Sequence, residues 1–564
     1  MGERVAELRE VPAVLHFHRP ADRPFLASEK ENTTILFGGL TWKHERFIRA
    51  VLQGCGYRCE TLPPSDMECY QLGREHCNTG QCNPSYFTVG SLLRHLKNLQ
   101  AQGLSRQTII DSYLFITAGS CGPCRFGMYE SEFRLALQNA GFAGFRVLLF
   151  EQDHGLHATT GEPGLKFTVD FGMGGLNAVI LGDVVNDIAY RLRPYELQPG
   201  KTNEVVERVV ERISSFLKDT PRFELAERLG GMLREIADYR SAKYYKVANT
   251  IGKVHDHLRG PAYRRVLREC SEELQHVELD RFRVKPVVKI IGEFWAQLTE
   301  GAGNYNLFAF LEHEGAELLV DPISTWVMYL LYQAKQRLAV QSRLERMHND
   351  RRRLLSELHF DWQLHRKLLL FSLGENIYRA HYRAALRALG HVATDLVSQE
   401  ELARLAHPHY NQMARGGEGH LEVGKSLYYT RSGLCHLVLA IKPFGCLPST
   451  QSDAVQWALI NQCKNMSFLS IETSGEGEID ALSRVQLALA DARAKAREEF
   501  ERCVETTGFP LDSIKDYAAS HPEFRNALYS FPKHPGVAGM AANFVLHVSE
   551  VMRRRPLPII RSTA

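Results

Sequence analysis

An alternation of strand-like and helix-like segments is the feature that most constrains the fold of this 564-residue chain. Between residues 33 and 190, β-branched and aromatic runs such as "TTILFGGL" and "DSYLFITAG" are separated by stretches with apolar residues at helical spacing. We interpret "LNAVILGDVV", residues 176–185, as a further strand-like run. The pattern resumes with "KPVVKIIGEFW" and ends with "MSFLSIETSGEGEID". Strands that alternate with helices predict parallel sheets covered on both faces.

The predicted fold class is α/β, with two Rossmann-like open parallel-sheet subdomains, large helical insertions and a helical C-terminus. We expect an N-terminal α/β subdomain that binds the cofactor over residues 1–200, followed by a helical segment over 201–283. The second α/β subdomain is expected over 284–500, interrupted by a helical insertion at about 323–406. Residues 501–564 are predicted to form a helical C-terminal segment.

Charge and hydropathy exclude several classes of protein. The 68 Lys and Arg residues nearly balance 65 Asp and Glu, so the net charge of +3 gives no indication of a nucleic-acid partner. We find no apolar run long enough to span a membrane and no signal peptide at the N-terminus. The sequence therefore predicts a cytoplasmic protein that binds neither nucleic acid nor membrane.

The twelve cysteines are unevenly distributed. Seven of them lie between residues 55 and 124, and the other five are scattered. The cytoplasm keeps thiols reduced, so these cysteines do not indicate a disulfide framework. Scattered cysteines are typical small buried residues, whereas crowded ones in a reducing compartment indicate metal or redox chemistry.

Three cysteine-bearing loops are the candidate site. Each places a thiol beside Gly, Asn or Pro and close to a predicted helix start, where unpaired N–H groups and the helix dipole favour a thiolate. Ligands of open α/β sheets bind beyond the carboxyl ends of strands, where we expect these loops. The pattern favours an iron–sulfur cluster. The loops are "GREHCNTGQCNPSYFTVG" with Cys77 and Cys82, "GSCGPCRFG" with Cys121 and Cys124, and "KPFGCLPST" with Cys446.

Two other interpretations of these thiols remain. A Cys-Gly-Pro-Cys sequence between a strand and a helix is the dithiol of thioredoxins. However, Ser120 stands where thioredoxins carry Trp, Arg125 replaces the usual Lys, and such an enzyme needs only one pair. A structural zinc site generally uses closely spaced ligand pairs. Here one pair is CxxxxC, and Cys446 lies more than three hundred residues further on.

Several longer motifs resemble the 2-hydroxyacyl-CoA dehydratase superfamily, in particular the dehydratase-like part of the large CoA-dehydratase activases and the related double-cubane cluster proteins. The resemblance spans about residues 15–500. The motifs that carry it are "GQCNPSYFTVGSL", "TAGSCGPCRFGMYESEFRLALQNAGF", "GEFW", "LEHEGAELLVDP" and "KPFGCLPSTQSDAVQ…IETSGEGEIDALSRVQ".

The resemblance implies a 4Fe–4S cluster, or two bridged cubanes, held by Cys82, Cys121, Cys124 and Cys446, with Cys77 as a further ligand. It also implies an activator of the actin-like ATPase class, which must be a separate chain because this one carries no such motif. A double cubane calls for six thiols, and Cys69, Cys435 and Cys463 are the remaining candidates. We also expect a dimer.

By this resemblance the chain is a lyase or a reductase of anaerobic metabolism. Dehydratases of the superfamily transfer one electron to a 2-hydroxyacyl-CoA thioester and form a ketyl radical that loses water, whereas double-cubane proteins reduce small molecules. No CoA pocket is recognisable in the sequence, so acyl-CoA is one candidate substrate. A non-catalytic electron relay is the alternative, followed by a dithiol oxidoreductase or a zinc protein.

Overall fold

A computed structural model describes residues 23–119, 124–151, 164–220, 223–225, 243–348, 354–414, 416–463, 466–475 and 477–554. Within these ranges the chain forms two four-stranded sheets with helices around them. All strand pairs in both sheets are parallel. The predicted α/β class with two parallel-sheet subdomains is confirmed.

The two sheets have the same topology. The first has the order β2-β1-β3-β4 and the second β6-β5-β7-β8. In each sheet the second strand of the chain therefore pairs with one side of the first strand, and the third strand pairs with its other side. Each sheet therefore has a point where the strand order reverses, between β1 and β3 and between β5 and β7. The strands are β1 Thr34–Phe37, β2 Arg58–Thr61, β3 Tyr113–Gly119, β4 Arg146–Glu151, β5 Val287–Gly292, β6 Glu317–Leu319, β7 Leu437–Pro443 and β8 Phe468–Thr473.

Helices cover the sheets and fill the space between them. In the first half of the described ranges they are α1 Trp42–Gly54, α2 Met67–His76, α3 Asn83–Ala101, α4 Arg106–Ser112, α5 Tyr129–Asn139, α6 Val169–Leu192, α7 Lys201–Asp219, α8 Lys243–Arg259 and α9 Pro261–Leu274. In the second half they are α10 Phe294–Leu298, α11 Leu307–His313, α12 Ile323–His348, α13 Leu354–Ala388, α14 Gln399–Ala406, α15 His420–Arg431, α16 Leu447–Gln462, α17 Glu478–Thr507, α18 Leu511–Ala519 and α19 Met540–Arg554.

The strand predicted at residues 176–185 is wrong, because this segment lies inside α6. Thr168 caps the helix by accepting a hydrogen bond from the backbone N–H of Phe171 at 3.1 Å. A short apolar run does not distinguish a buried strand from a buried helix, and α6 is apolar on nearly every side because other helices surround it. It packs against α1, α7, α8, α12 and α13 at the centre of the largest apolar cluster.

The helical regions occur where the sequence predicts them. The described parts of 201–283 hold α7, α8 and α9, and those of 323–406 hold α12, α13 and α14. The expected boundary at residue 500 falls inside α17, which continues to Thr507. Within the described ranges, no helix combines the length and apolarity that a membrane span requires.

Candidate functional site

Three of the predicted site cysteines occupy the starts of helices. Cys82 is the N-cap residue of α3, Cys446 is that of α16, and Cys124 precedes a short 3-10 turn that leads into α5. Cys124 follows β3 and Cys446 follows β7, which are equivalent strands of the two sheets. Cys82 instead follows α2, so the expectation that its loop continues from the end of a strand is wrong. The prediction that these thiols lie at helix starts is confirmed for all three.

The residues that neighbour these cysteines join the three loops to one another. The backbone N–H of Asn83 donates to the carbonyl oxygen of Phe444 at 3.3 Å, and the guanidinium of Arg125 donates to the carbonyl oxygen of Gly445 at 2.8 Å. A Cβ atom added to Gly445 would lie 3.5 Å from the Cα atom of Cys82. The two subdomains therefore bring together loops that are more than three hundred residues apart in the chain.

A close crossing of α2 and α3 positions the Cys82 loop between them. A Cβ atom added to Gly73 would lie 1.9 Å from the carbonyl oxygen of Tyr86, and one added to Gly90 would lie 1.7 Å from that of Cys69. Any side chain at either glycine would collide with the backbone of the opposite helix. The two glycines thus fix the separation of the helices that flank the loop.

We expect Gly73→Ala to destabilise the protein by about 1–3 kcal/mol, because the added methyl group overpacks this crossing. The measurement is the free energy of unfolding in urea. Gly172→Ala is the matched control, since a Cβ atom at Gly172 meets nothing within 4 Å in α6. Equal stability of the two variants would contradict the close-crossing interpretation.

Burial and nearby carboxylates keep the described site thiols protonated. Burial raises the pKa of Cys82 and of Cys446, and it raises the pKa of Cys124 to about 12. The charge of Glu293 acts on all three thiols in the same direction, and that of Glu418 acts on Cys124 and Cys446. A bound metal would change the protonation state of these thiols, because coordination to a metal deprotonates a thiol outright.

Sequence reasoning did not identify this carboxylate pair. Glu293 follows β5 and accepts a hydrogen bond from the backbone N–H of Ala296 at 2.8 Å, while Glu418 accepts one from that of Phe294 at 3.0 Å. Burial raises the pKa of Glu293 to about 7 and that of Glu418 well above its usual range. "GEFW" marked Glu293 as part of a motif, but Glu418 lies in "GGEGH", which carries no signal of its own.

A tyrosine hydroxyl also faces the site. The Oη atom of Tyr129 lies 3.0 Å from the Sγ atom of Cys82. Burial raises the pKa of Tyr129 well above its usual value, so the hydroxyl keeps its proton. It can therefore donate a hydrogen bond to Cys82 whenever that sulfur is a thiolate.

The remaining predicted ligands have different surroundings. Cys121 lies outside the described residues. Cys77 is the C-cap residue of α2. The loop that follows it is held by Glu132, whose carboxylate accepts hydrogen bonds from Asn78 and Gln81. Burial, with the charge of Glu132, raises the pKa of Cys77 to about 12. Of the further candidates, Cys69 lies in α2, Cys435 lies just before β7, and Cys463 ends α16.

A cavity of about 480 Å³ opens beside Cys124. It lies at the carboxyl ends of β1 and β3 and is closed by residues that follow β5 and by α12. Cys124, Glu293 and Tyr129 line one part of it. Among its described lining residues Glu293 is the only carboxylate, and there is no Lys, Arg or His. Most of the wall is aromatic or aliphatic, including Phe37, Phe115, Phe133, Phe294, Trp295 and Trp326.

A smaller recess of about 50 Å³ adjoins this cavity and contains the carboxylates of Glu45 and Glu300. Oε1 of Glu45 accepts hydrogen bonds from the backbone N–H groups of Gly39 at 2.9 Å and Leu40 at 3.1 Å. Burial raises the pKa of Glu45 to about 7, and these two hydrogen bonds offset only part of that effect. Glu45 thus holds the turn after β1 and is a proton-carrying group next to the cavity.

The raised pKa of Glu45 predicts a pH dependence of stability. The folded protein keeps this proton up to about pH 7, whereas an unfolded chain releases it near 4.5, so the contribution of Glu45 to stability falls as pH rises through this interval. We compare the free energy of unfolding of Glu45→Gln with that of the native chain at each pH. We expect this difference to favour the variant more at about pH 8 than at about pH 5. Urea unfolding at both pH values measures this difference. Parallel profiles for the two proteins would contradict it.

No three His, Cys, Asp or Glu side chains in the described part of the chain stand close enough to hold a single metal ion. A zinc site requires four ligands around one ion. A cubane makes a different demand, because each thiolate binds a separate iron at a different corner of the cluster. Cys82 and Cys446 are buried and Cys124 is half-buried, and each of them begins a helical segment. Three such thiols, whose loops meet, are a donor set of the chemistry that a cluster uses.

The fold and the site define a two-subdomain α/β protein with a thiol-rich cleft between two parallel sheets. No protein-family model matches the chain, and no curated protein matches it.

Proposed function

We propose that this chain is an iron–sulfur protein of the kind that the 2-hydroxyacyl-CoA dehydratase superfamily contains. It accepts low-potential electrons from an ATP-hydrolysing activator on a separate chain and uses them for a difficult reduction or a radical dehydration in the adjacent cavity. The observation that carries the proposal is the convergence of the Cys82, Cys124 and Cys446 loops, of which Cys124 lines that cavity.

When bound, a 4Fe–4S cluster supplies single electrons at a potential that its surroundings set. Cys82, Cys124 and Cys446 would hold it, with Cys121 from the same CGPC sequence as the fourth ligand. Coordination would convert these buried thiols to thiolates, and the N-termini of α3 and α16 would then stabilise the negative charge of Cys82 and Cys446. The Tyr129 hydroxyl can donate a hydrogen bond to Cys82 in that state. Such a hydrogen bond to a ligand sulfur raises the reduction potential.

The cavity favours catalysis over a pure electron relay. A relay protein needs no substrate-sized space beside its cluster, whereas this cavity has the volume of a small-molecule site and is mostly apolar. Its described wall offers no cation for phosphate groups. If the substrate is an acyl-CoA thioester, the cavity therefore holds the acyl portion, and the phosphates of CoA remain outside.

Anaerobic purification tests the proposal. We expect about four irons and about four acid-labile sulfides per chain for one cubane. Two bridged cubanes would give about eight irons and about nine sulfides, because one sulfide joins the two halves. Electron paramagnetic resonance of the reduced protein then distinguishes these cases. A protein without iron or sulfide, in which Cys124 is freely alkylated, would support the dithiol alternative instead.

A further inference from the structure

The outer face of α13 carries an apolar stripe that the described structure leaves uncovered. Trp362, Leu369 and Leu373 are 59%, 66% and 51% exposed, and Leu370 and Ile377 are about as exposed beside them. The opposite face of the same helix is buried against the protein. α13 is therefore apolar on two faces, and among the described residues only one of these faces packs into the core.

The exposed face has the spacing of a helix–helix seam. Its positions follow one another at alternating intervals of four and three residues, and all of them are exposed. This seven-residue repeat is the pattern by which one helix packs along another. An apolar stripe that packs into a groove of irregular shape does not require a seven-residue repeat. The positions of the seam are Trp362, Arg366, Leu369, Leu373, Asn376 and Ala380.

The seam is complementary to itself when two copies run antiparallel about a point near residue 371. The large Trp362 then faces the small Ala380 of the second copy. Arg366, whose guanidinium lies 5.6 Å from the centre of the Trp362 ring, faces Asn376. Leu369 faces Leu373. A parallel pair would instead place Arg366 against Arg366, a like-charge contact that costs stability.

The exposed apolar area of the stripe is large enough for a protein–protein interface. Five large side chains that are about half exposed present on the order of 500 Å² of apolar surface, which is near the upper end for the largest patch on a monomer. Two copies would bury about 1,000 Å², the lower bound for a specific protein–protein interface. A symmetric homodimer is also the commonest oligomer of soluble proteins.

We propose that the outer face of α13 is a homodimer interface, in which α13 of one chain packs antiparallel against α13 of a second copy. The two-fold axis passes near residue 371, and the pairs Trp362–Ala380, Arg366–Asn376 and Leu369–Leu373 form the seam. This interface does not depend on the proposed cluster, because none of its residues belongs to the candidate site.

Sedimentation equilibrium of the full chain, purified anaerobically, tests whether the dimer uses this face. We expect a dimer of the 64.0 kDa chain and at least a hundredfold weaker association for Leu369→Asp combined with Leu373→Asp. Leu487→Asp is the matched control, because Leu487 is 75% exposed on α17 and lies outside the seam. A monomeric native chain, or a dimer that the seam variant leaves intact, would overturn the proposal.

A charge pair at exposed positions tests the antiparallel register without endangering the fold. Asn376→Arg places two cations opposite each other and is expected to weaken the dimer at least tenfold. Adding Arg366→Glu to that variant should restore association, because each new Glu faces an Arg of the second copy. In a parallel pair the double variant would set like charges against each other, so failure of the rescue rejects the register.

A lipid surface is the other occupant that the experiment distinguishes. Flotation of the full chain with vesicles of phosphatidylglycerol would detect it, since Trp362 and Arg366 are residue types that bind the interface of anionic membranes. We expect no flotation of the native dimer. A monomer that floats, and that the Leu369→Asp and Leu373→Asp double variant releases, would overturn the homodimer in favour of the membrane.

Discussion

Cys446→Ser is expected to remove the cluster while leaving the fold intact. Cys446 is the N-cap residue of α16 and one of the three thiols whose loops converge. A serine hydroxyl can replace it as a helix cap, but it is a poor ligand for iron. We expect the iron content to fall from about four per chain to less than about one, with a matching loss of acid-labile sulfide.

The control for this variant lies on the same helix. Cys463, which the sequence left as a candidate for a sixth ligand, is the C-cap residue of α16 and lies at the opposite end of the helix from Cys446. It is therefore too distant to bind the same cluster, and Cys463→Ser should keep its iron. Iron, sulfide and the circular dichroism spectrum are measured for both variants after anaerobic purification. Retention of the full iron content by Cys446→Ser would reject Cys446 as a ligand.

Cys77→Ser adds a test of the size of the cluster. A single cubane held by Cys82, Cys121, Cys124 and Cys446 would keep about four irons in this variant. A double cubane that also uses Cys77 would lose part of its iron. The surroundings of Cys77, whose loop faces Glu132, make this variant informative, because its thiol does not share the Glu293 environment of the other three.

Asp183→Ala is expected to be the most destabilising of these substitutions, at about 3–5 kcal/mol. Asp183 lies in α6 and accepts hydrogen bonds from the backbone N–H groups of Ile323 and Ser324, at 2.6 and 2.9 Å, and from the Ser324 hydroxyl at 2.5 Å. Nε2 of His44 lies 3.1 Å away. The carboxylate thus satisfies the N-terminus of α12 from another helix, and its removal leaves buried donors without a partner.

Urea unfolding of the iron-free protein measures this effect. Asp491→Ala is the control, because Asp491 forms an exposed pair with Lys495 and should change the free energy of unfolding by less than about 0.5 kcal/mol. The loss of unfolding free energy for Asp183→Asn should lie between those of Asp183→Ala and Asp491→Ala, because the asparagine amide keeps one acceptor oxygen. A loss for Asp183→Ala no larger than that of Asp491→Ala would contradict the assigned role.

Local sequence patterns were sufficient for the secondary structure wherever the apolar period was clear. The runs that became β5 and β7 are buried along their whole length, as expected for strands of parallel sheets. The run at 176–185 failed because burial on all sides removes the period that distinguishes a helix from a strand. The strand predicted from "DSYLFITAG" begins at Tyr113, since Asp111 and Ser112 end α4.

By itself, the sequence determined the class of the fold and the place of the thiols at helix starts. Both depend on neighbours within a few residues, which is the range over which periodicity and capping act. Only the tertiary structure decided which loops meet, because Cys82 and the loop of Cys446 become neighbours through contacts between segments more than three hundred residues apart. The burial of Glu293 and Glu418 beside them, which raises the pKa of both carboxyl groups, is likewise a property of the packed cleft and of no local segment.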